Sequence, residues 1–186
     1  MEMKEIVAKH KIVGIISNYK INLKDCFVKE LNINNPEMAL KMVGLDNTYL
    51  DKKTIDLSLS EKLKVDLATK LNKDIIIVGD LSNSLIYKEL EFIKKLLLKL
   101  SNEYNKKIVV IDNDVNSFIN LVKHIYVLEN KEIIYDTNDY FDKKLYEYTK
   151  KPEIVDFIEY VNKDSERVDL TLDIYELIKD IFRRVS

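Results

Sequence analysis

The sequence predicts an α/β fold: a parallel sheet flanked by helices, with a small, mostly helical C-terminal appendage. Three observations carry this expectation. Residues 11–16 (KIVGII), 74–78 (DIIIV) and 107–111 (KIVVI) are short β-branched runs suited to strands buried on both faces. Amphipathic helical patterns at 60–71 and 87–104 separate them, giving a β–α–β–α–β order that implies a parallel sheet. From Tyr140 onward the pattern turns helical and rich in tyrosine.

Each element has a local reason. Residues 22–31 carry Leu23, Cys26, Phe27 and Leu31 at helical spacing. In NNPEMALKMVGLD, Asn35 stands as N-cap, Pro36 at the first helical position and Gly44 as the stop. The helix at 60–71 is opened by Ser58 or Ser60 and turns Leu63, Leu67 and Leu71 to one face. Residues 87–104 place Leu90, Ile93, Leu97 and Leu100 inward. A short helix is expected at 116–122, then a strand, a turn at 129–131 and a returning strand. Helices at 152–162 and 172–184 flank an extended piece at 167–170. A soft boundary near 138–142 divides the chain into 1–139 and an appendage, 140–186.

Composition narrows the function. The chain of 186 residues is 46% hydrophobic and 33% charged, a soluble folded domain rather than a disordered one. With 30 basic and 32 acidic residues the net charge is −2, which gives no electrostatic case for nucleic acid. A single cysteine, Cys26, excludes an internal disulfide and reads as a structural thiol. His10 and His124 have no partner at metal-ligand spacing in the sequence. Without a signal peptide or a membrane-spanning apolar run, the expectation is a cytoplasmic protein, or a peripheral one at the inner face of the cell membrane. Only three glycines occur. Phosphate-binding loops need glycine so that backbone N–H groups can close on the anion, so a nucleotide cradle has almost nowhere to form.

Five segments in order nevertheless resemble a nucleotide-binding family. LSLSEKLKVDLA (57–68) looks like the signature motif and its helix in ABC transporter ATPases. DIIIVGDLSNSLI (74–86) looks like the Walker B strand and D-loop, and KKIVVIDNDVNSFINLVKHIYVLENKEII (106–134) like the switch-histidine strand, its helix and the closing hairpin. PEMALKMVGLDNTYLDKKTIDLS (36–58) resembles the run into the signature. The tail, KPEIVDFIEYVNKDSERVDLTLDIYELIKDI (151–181), is similar to the C-terminal domain of energy-coupling-factor (ECF) importer ATPases, which helps pair two ATPases. The resemblance implies a reduced P-loop NTPase-like core with a dimerisation appendage.

At the positions where that family carries its chemistry, this chain departs from it. The Walker B aspartate is Gly79 and the following glutamate is Asp80, so the Mg²⁺ shell loses its holder. The switch histidine is Asn113. The two signature glycines are Leu59 and Ser60, and Leu59 puts a branched side chain where phosphate would sit; Ser58 is retained. Residues 12–16 align either with the Walker A strand or with the strand before the Q-loop. On the first alignment the phosphate-binding lysine is Leu23 and the next position Lys24. That alignment is favoured because a sheet lacking its P-loop strand would expose two hydrogen-bonding ladders. Neither alignment supplies a phosphate cradle.

The resemblance therefore implies a catalytically inactive pseudo-ATPase with no cofactor and no metal. It would act by binding a protein: an ABC or ECF-type ATPase, a membrane subunit, or itself. Tyr146, Tyr148, Phe157 and Tyr160 are candidate interface anchors, with plain core packing as their alternative role. Leu57, Leu63, Leu67, Ile75, Ile77 and Val78 are expected to persist as core. A second reading is a repurposed Mg²⁺-binding α/β enzyme using Asp80, Asp112, Asp114 and Asp136 near strand ends. A third is a free-standing self-associating regulator unrelated to transport.

Overall fold

The structure, a computed structural model, describes residues 3–164 and 168–185. One sheet holds β1 (Ile12–Ile16), β2 (Ile75–Gly79), β3 (Lys107–Asp112), β4 (Ile125–Glu129) and β5 (Glu132–Thr137) in the order β2–β3–β1–β4–β5. The first four strands are parallel, and β5 returns antiparallel on β4. The hairpin between them turns through Asn130 and Lys131, both with positive φ, as a two-residue primed turn requires. The helices are α1 (Met3–Lys9), α2 (Pro36–Met42), α3 (Leu59–Ala68), α4 (Leu81–Ser84), α5 (Tyr87–Glu103), α6 (Glu153–Asp164) and α7 (Ile174–Val185).

Alternation along the strands divides the core in two. Ile16, Ile76, Val78, Ile108, Val110, Ile125 and Val127 belong to the main core, packed with Leu40, Leu63, Leu67, Ile93 and Leu97 from α2, α3 and α5. On this side Gly14 lets Phe118 approach; a Cβ there would stand 2.8 Å from its ring. Val13, Ile15, Val109 and Tyr126 form a smaller cluster with Ile6 and Val7 of α1. α1 and α4 were not foreseen, because neither spans enough residues to show a helical period.

β1 pairs with β3 on one side and β4 on the other. Residues 12–16 therefore fill the middle of the sheet, and without them two ladders would be open. β2 is the outer strand, and this corrects one core expectation. Ile75, at the start of that edge, is 45% exposed, while Leu57, Leu63, Leu67 and Val78 are buried and Ile77 is partly so.

The expected helix at 22–31 is absent. The chain runs irregularly from β1 to Phe27, which bridges Lys53, and makes one 3-10 turn at Val28–Glu30. The 52–54 segment takes up the backbone groups a helix would use. Val28 N donates to Lys52 O, Thr54 N to Cys26 O, and Thr54 Oγ1 to Lys24 O. Asn35, Pro36 and Gly44 sit where the sequence places them, Gly44 with φ +81, though the Asn35 side chain makes no capping bond. The short helix expected at 116–122 is a 3-10 turn at Val115–Phe118. Of the extended piece at 167–170, Arg167 lies outside the described residues, and 168–170 form no regular element.

Tyr140 and Leu145 belong to the main core, where Tyr140 donates to Val122 O at 2.9 Å. Ile158, Val168 and Leu177 form a third cluster joining α6 to α7. Asn162 pins that link by accepting from Val168 N at 2.6 Å and donating to Val168 O at 3.1 Å.

Candidate functional site

In open α/β sheets ligands gather outside the carboxyl ends of the strands, where the direction of the connections changes. Here that crest is built by the residues after β1, β2, β3 and β4. A cleft of about 260 Å³ there is lined by Ser17, Asn18, Asn113, Glu129, Glu147 and Tyr148, together with the apolar Ile16, Val127 and Leu128. The lining holds two carboxylates and no lysine or arginine.

The end of β2 is occupied from within the chain. The ring of Tyr19, in the irregular segment after β1, covers Gly79; a Cβ on Gly79 would stand 2.4 Å from Tyr19 Cγ and 2.6 Å from Ile111 O. Lys70, just past α3, holds the ring in place. Its Nζ donates to Tyr19 Oη at 3.1 Å, to Ile77 O at 2.9 Å and to Asp66 Oδ2 at 2.5 Å. Burial alone would lower the Lys70 pKa, but the bonds to Asp66 and Tyr19 outweigh it and hold it above its ordinary value. The Ile77 carbonyl that Lys70 satisfies lies on the open edge of the sheet, so the same amine covers one acceptor of that edge.

Asp80 follows with φ 61 and ψ 34, in the left-handed region. Its carboxylate accepts from Asn83 Nδ2 at 2.8 Å and Ser84 Oγ at 3.0 Å, and so organises α4. Asp112 is buried at the end of β3, where it accepts from Ser82 N, Ser82 Oγ and Asp114 N. Asp114 caps the next turn through Asn116 N. Asn113 is exposed, and its backbone carbonyl accepts from Thr149 Oγ1 at 2.9 Å. Asp136 sits elsewhere: β5 runs antiparallel, so Asp136 lies beside Tyr126, near the amino end of β4, and pairs with His124 at 3.0 Å. The four aspartates grouped by sequence are therefore not one cluster. Among the described residues no group of three His, Cys, Asp or Glu side chains is placed to hold a metal ion.

Ser58, not Ser60, opens α3. Its Oγ accepts from Glu61 N at 3.3 Å while Glu61 Oε2 accepts from Ser58 N at 2.7 Å, a reciprocal capping box. The Tyr49 hydroxyl, then the Ser58 backbone N–H, hold the Glu61 pKa down at about 2. Ser60 instead donates to Glu89 Oε1 at 2.8 Å, tying α3 to α5 together with Lys64. Leu59 is 58% exposed at the first turn of α3. Leu23 is partly buried against the main core, and Lys24 is exposed.

The four aromatic candidates divide. Tyr146 packs against the main core and donates to Tyr140 O at 2.6 Å; burial pushes its pKa up to about 12. Tyr148 also packs there, stacked on Tyr135. Phe157 and Tyr160 on α6 remain 46% and 72% exposed. The sequence reading missed Ile174, Tyr175, Ile178 and Phe182, which are also exposed. The signal was present in the strongly amphipathic pattern of α7, where Leu177 is the one buried side chain among the described residues.

No family model matches the sequence, and no curated protein matches it. Solved structures do. The dimeric ATP-binding cassette MJ0796, in a post-hydrolysis state bound to ADP and Pi, is similar at a TM-score of 0.55 and 22% identity, over 74% of this chain and 68% of that one. CbiO1 from Clostridium perfringens, part of the ABC transporter complex cbiONQ, is similar at 0.50 and 20% identity, over 88% and 68%. MJ1267, an ATP-binding cassette of an ABC transporter in its ADP conformation, is similar at 0.50 and 17%, over 86% and 71%. Among the described residues, no helix is long and apolar enough to cross a membrane. The chain has the fold of the ATP-binding cassettes, a mixed α/β, P-loop-NTPase-like sheet flanked by helices.

Proposed function

We propose that this chain is a catalytically inactive pseudo-ATPase of the ABC type, resembling the ECF importer ATPases, that works by binding a protein partner. The observation that carries the proposal is the Tyr19 ring on Gly79. At the position aligned with the metal-holding aspartate, an aromatic side chain of the same protein takes the space a carboxylate would need.

Other features agree. The central position of β1 favours its alignment with the Walker A strand, yet β1 leads into an irregular segment rather than a helix. Without a helix N-terminus behind it, the loop has neither the aligned N–H groups nor the dipole that hold phosphate. The crest cleft presents Glu129 and Glu147, whose charge opposes a polyphosphate. Asp80 and Asp112 are committed to local hydrogen bonds. Ser58 and Glu61 keep the signature helix folded, which is a structural task.

The cassette MJ0796 is dimeric, and cbiO1 is part of a transporter complex. By analogy, the partner of this chain is an ABC or ECF-type ATPase, a membrane subunit, or a second copy. The exposed apolar side chains of α6 and α7 are its contact surface, in a C-terminal appendage that serves pairing rather than chemistry. Docking on a membrane subunit would place the chain at the inner face of the cell membrane.

The test is affinity capture of the tagged full chain from detergent-solubilised source cells, followed by mass spectrometry. Recovery of an intact cassette ATPase or its membrane subunit is expected. Recovery of the chain alone would overturn the transporter link.

A further inference from the structure

His10 and His124 are far apart in sequence, and the fold stacks them. Their ring centroids are 4.8 Å apart with 19° between planes. His10 follows α1 directly, and its Nε2 meets the Tyr126 hydroxyl at 3.2 Å. His124 precedes β4, and its Nε2 meets Asp136 Oδ2 at 3.0 Å. The stack therefore joins the end of α1 to the amino end of β4.

The charges facing the pair are arranged unequally. The Asp136 carboxylate on β5 faces His124. His10 faces a phenol on β4, the His124 ring and Lys9 on its own helix. Lys107 on β3 adds a further positive group where it donates to the Val7 and Ala8 carbonyls at the end of α1. A proton on His10 would stand face to face with the His124 ring and near Lys9. Burial first, then His124 and Lys9, hold the His10 pKa below its ordinary value.

We infer that the stacked His10–His124 pair is an acid-sensitive latch for α1: a neutral His10 ring stacked on His124 holds the helix on the sheet, and a proton on His10 releases it. Release would uncover the small core of Val13, Ile15, Val109 and Tyr126, which Ile6 and Val7 cover. The sign follows from linkage. A histidine whose folded-state pKa is lowered contributes stability above its unfolded value, near 6.5 as a rough figure, and loses it as pH falls from there towards the folded value. The inference is independent of whether the chain binds ATP.

Hydrogen exchange of the full chain, corrected for intrinsic rates and read at about pH 7.5 and about pH 5.5, tests the latch. Protection of residues 5–9 should fall by about tenfold or more relative to β3 in acid. In His10→Phe, which keeps an aromatic ring without the charge, protection should be the same at both values. Unchanged protection in the wild type, or an equal loss in His10→Phe, would overturn the inference. If His10→Phe fails to fold, NMR titration of the wild type decides. The His10 ring and the α1 amides should then shift with one midpoint, and separate midpoints would overturn the latch.

Discussion

The aromatic ring of Tyr19 rests directly on Gly79, with no room between them for a single methyl group. Gly79 has no need of glycine for its backbone, which is ordinary strand. What requires glycine is the ring above it and the Ile111 carbonyl beside it. Gly79→Ala is therefore expected to destabilise the fold by about 1–3 kcal/mol. In a Tyr19→Ala background the cost should shrink without vanishing, because the Ile111 carbonyl remains 2.6 Å from the new Cβ. Denaturant unfolding of the four proteins in the cycle measures the coupling, and full additivity would contradict the packing account.

Lys70 holds that ring and also covers the Ile77 carbonyl on the sheet edge. Lys70→Met removes three hydrogen bonds at once and leaves the buried Asp66 carboxylate without its cation. The expected loss is about 3–5 kcal/mol, since breaking a buried pair strands the remaining charge. The bared β2 edge should also promote association, visible by light scattering. Asp66→Asn combined with Lys70→Met should unfold at higher denaturant than Lys70→Met alone.

Glu61 gives the first turn of α3 a defined acid response. Its pKa is held at about 2, chiefly by the Tyr49 hydroxyl. A carboxylate depressed in the folded state stabilises above its unfolded pKa, and that contribution is lost as pH falls through the folded one. Stability should therefore decline from about pH 4.5 towards about pH 2, and Tyr49→Phe should flatten the slope. Ser58→Ala, which removes the other half of the capping box, should cost about 1 kcal/mol at neutral pH. Urea midpoints against pH check both.

Ser101 is fully buried in α5, and its hydroxyl is the buried side-chain polar atom without a partner among the described residues. Ser101→Ala removes an unsatisfied group and adds helix propensity, so it should stabilise by about 1 kcal/mol. A lower melting temperature in the variant would contradict the account.

Much of the fold was legible because strands and long helices announce themselves by period. The three β-branched runs became β1, β2 and β3, and the Leu90–Leu100 stripe became the inner face of α5. The helix at 22–31 misled because its apolar spacing was real. What the spacing could not show is that 52–54 would offer better backbone partners from across the fold. Ile75 misled because a sequence does not say which strand stands at the edge. The residues Gly79, Asp80 and Asn113 were readable one by one; the ring that covers Gly79 was not, since Tyr19 and Gly79 meet only through sheet topology. The His10–His124 stack was hidden for the same reason.

The central claim is that no polyphosphate site survives at the crest of this sheet. The measurement that tests it most directly is calorimetric titration of the full chain with Mg-ATP up to about 1 mM, where a free energy of roughly −4 kcal/mol would register. No saturable heat and no phosphate release are expected. Stoichiometric binding accompanied by hydrolysis would contradict the account, and would mean that Tyr19 moves off Gly79 to admit the nucleotide.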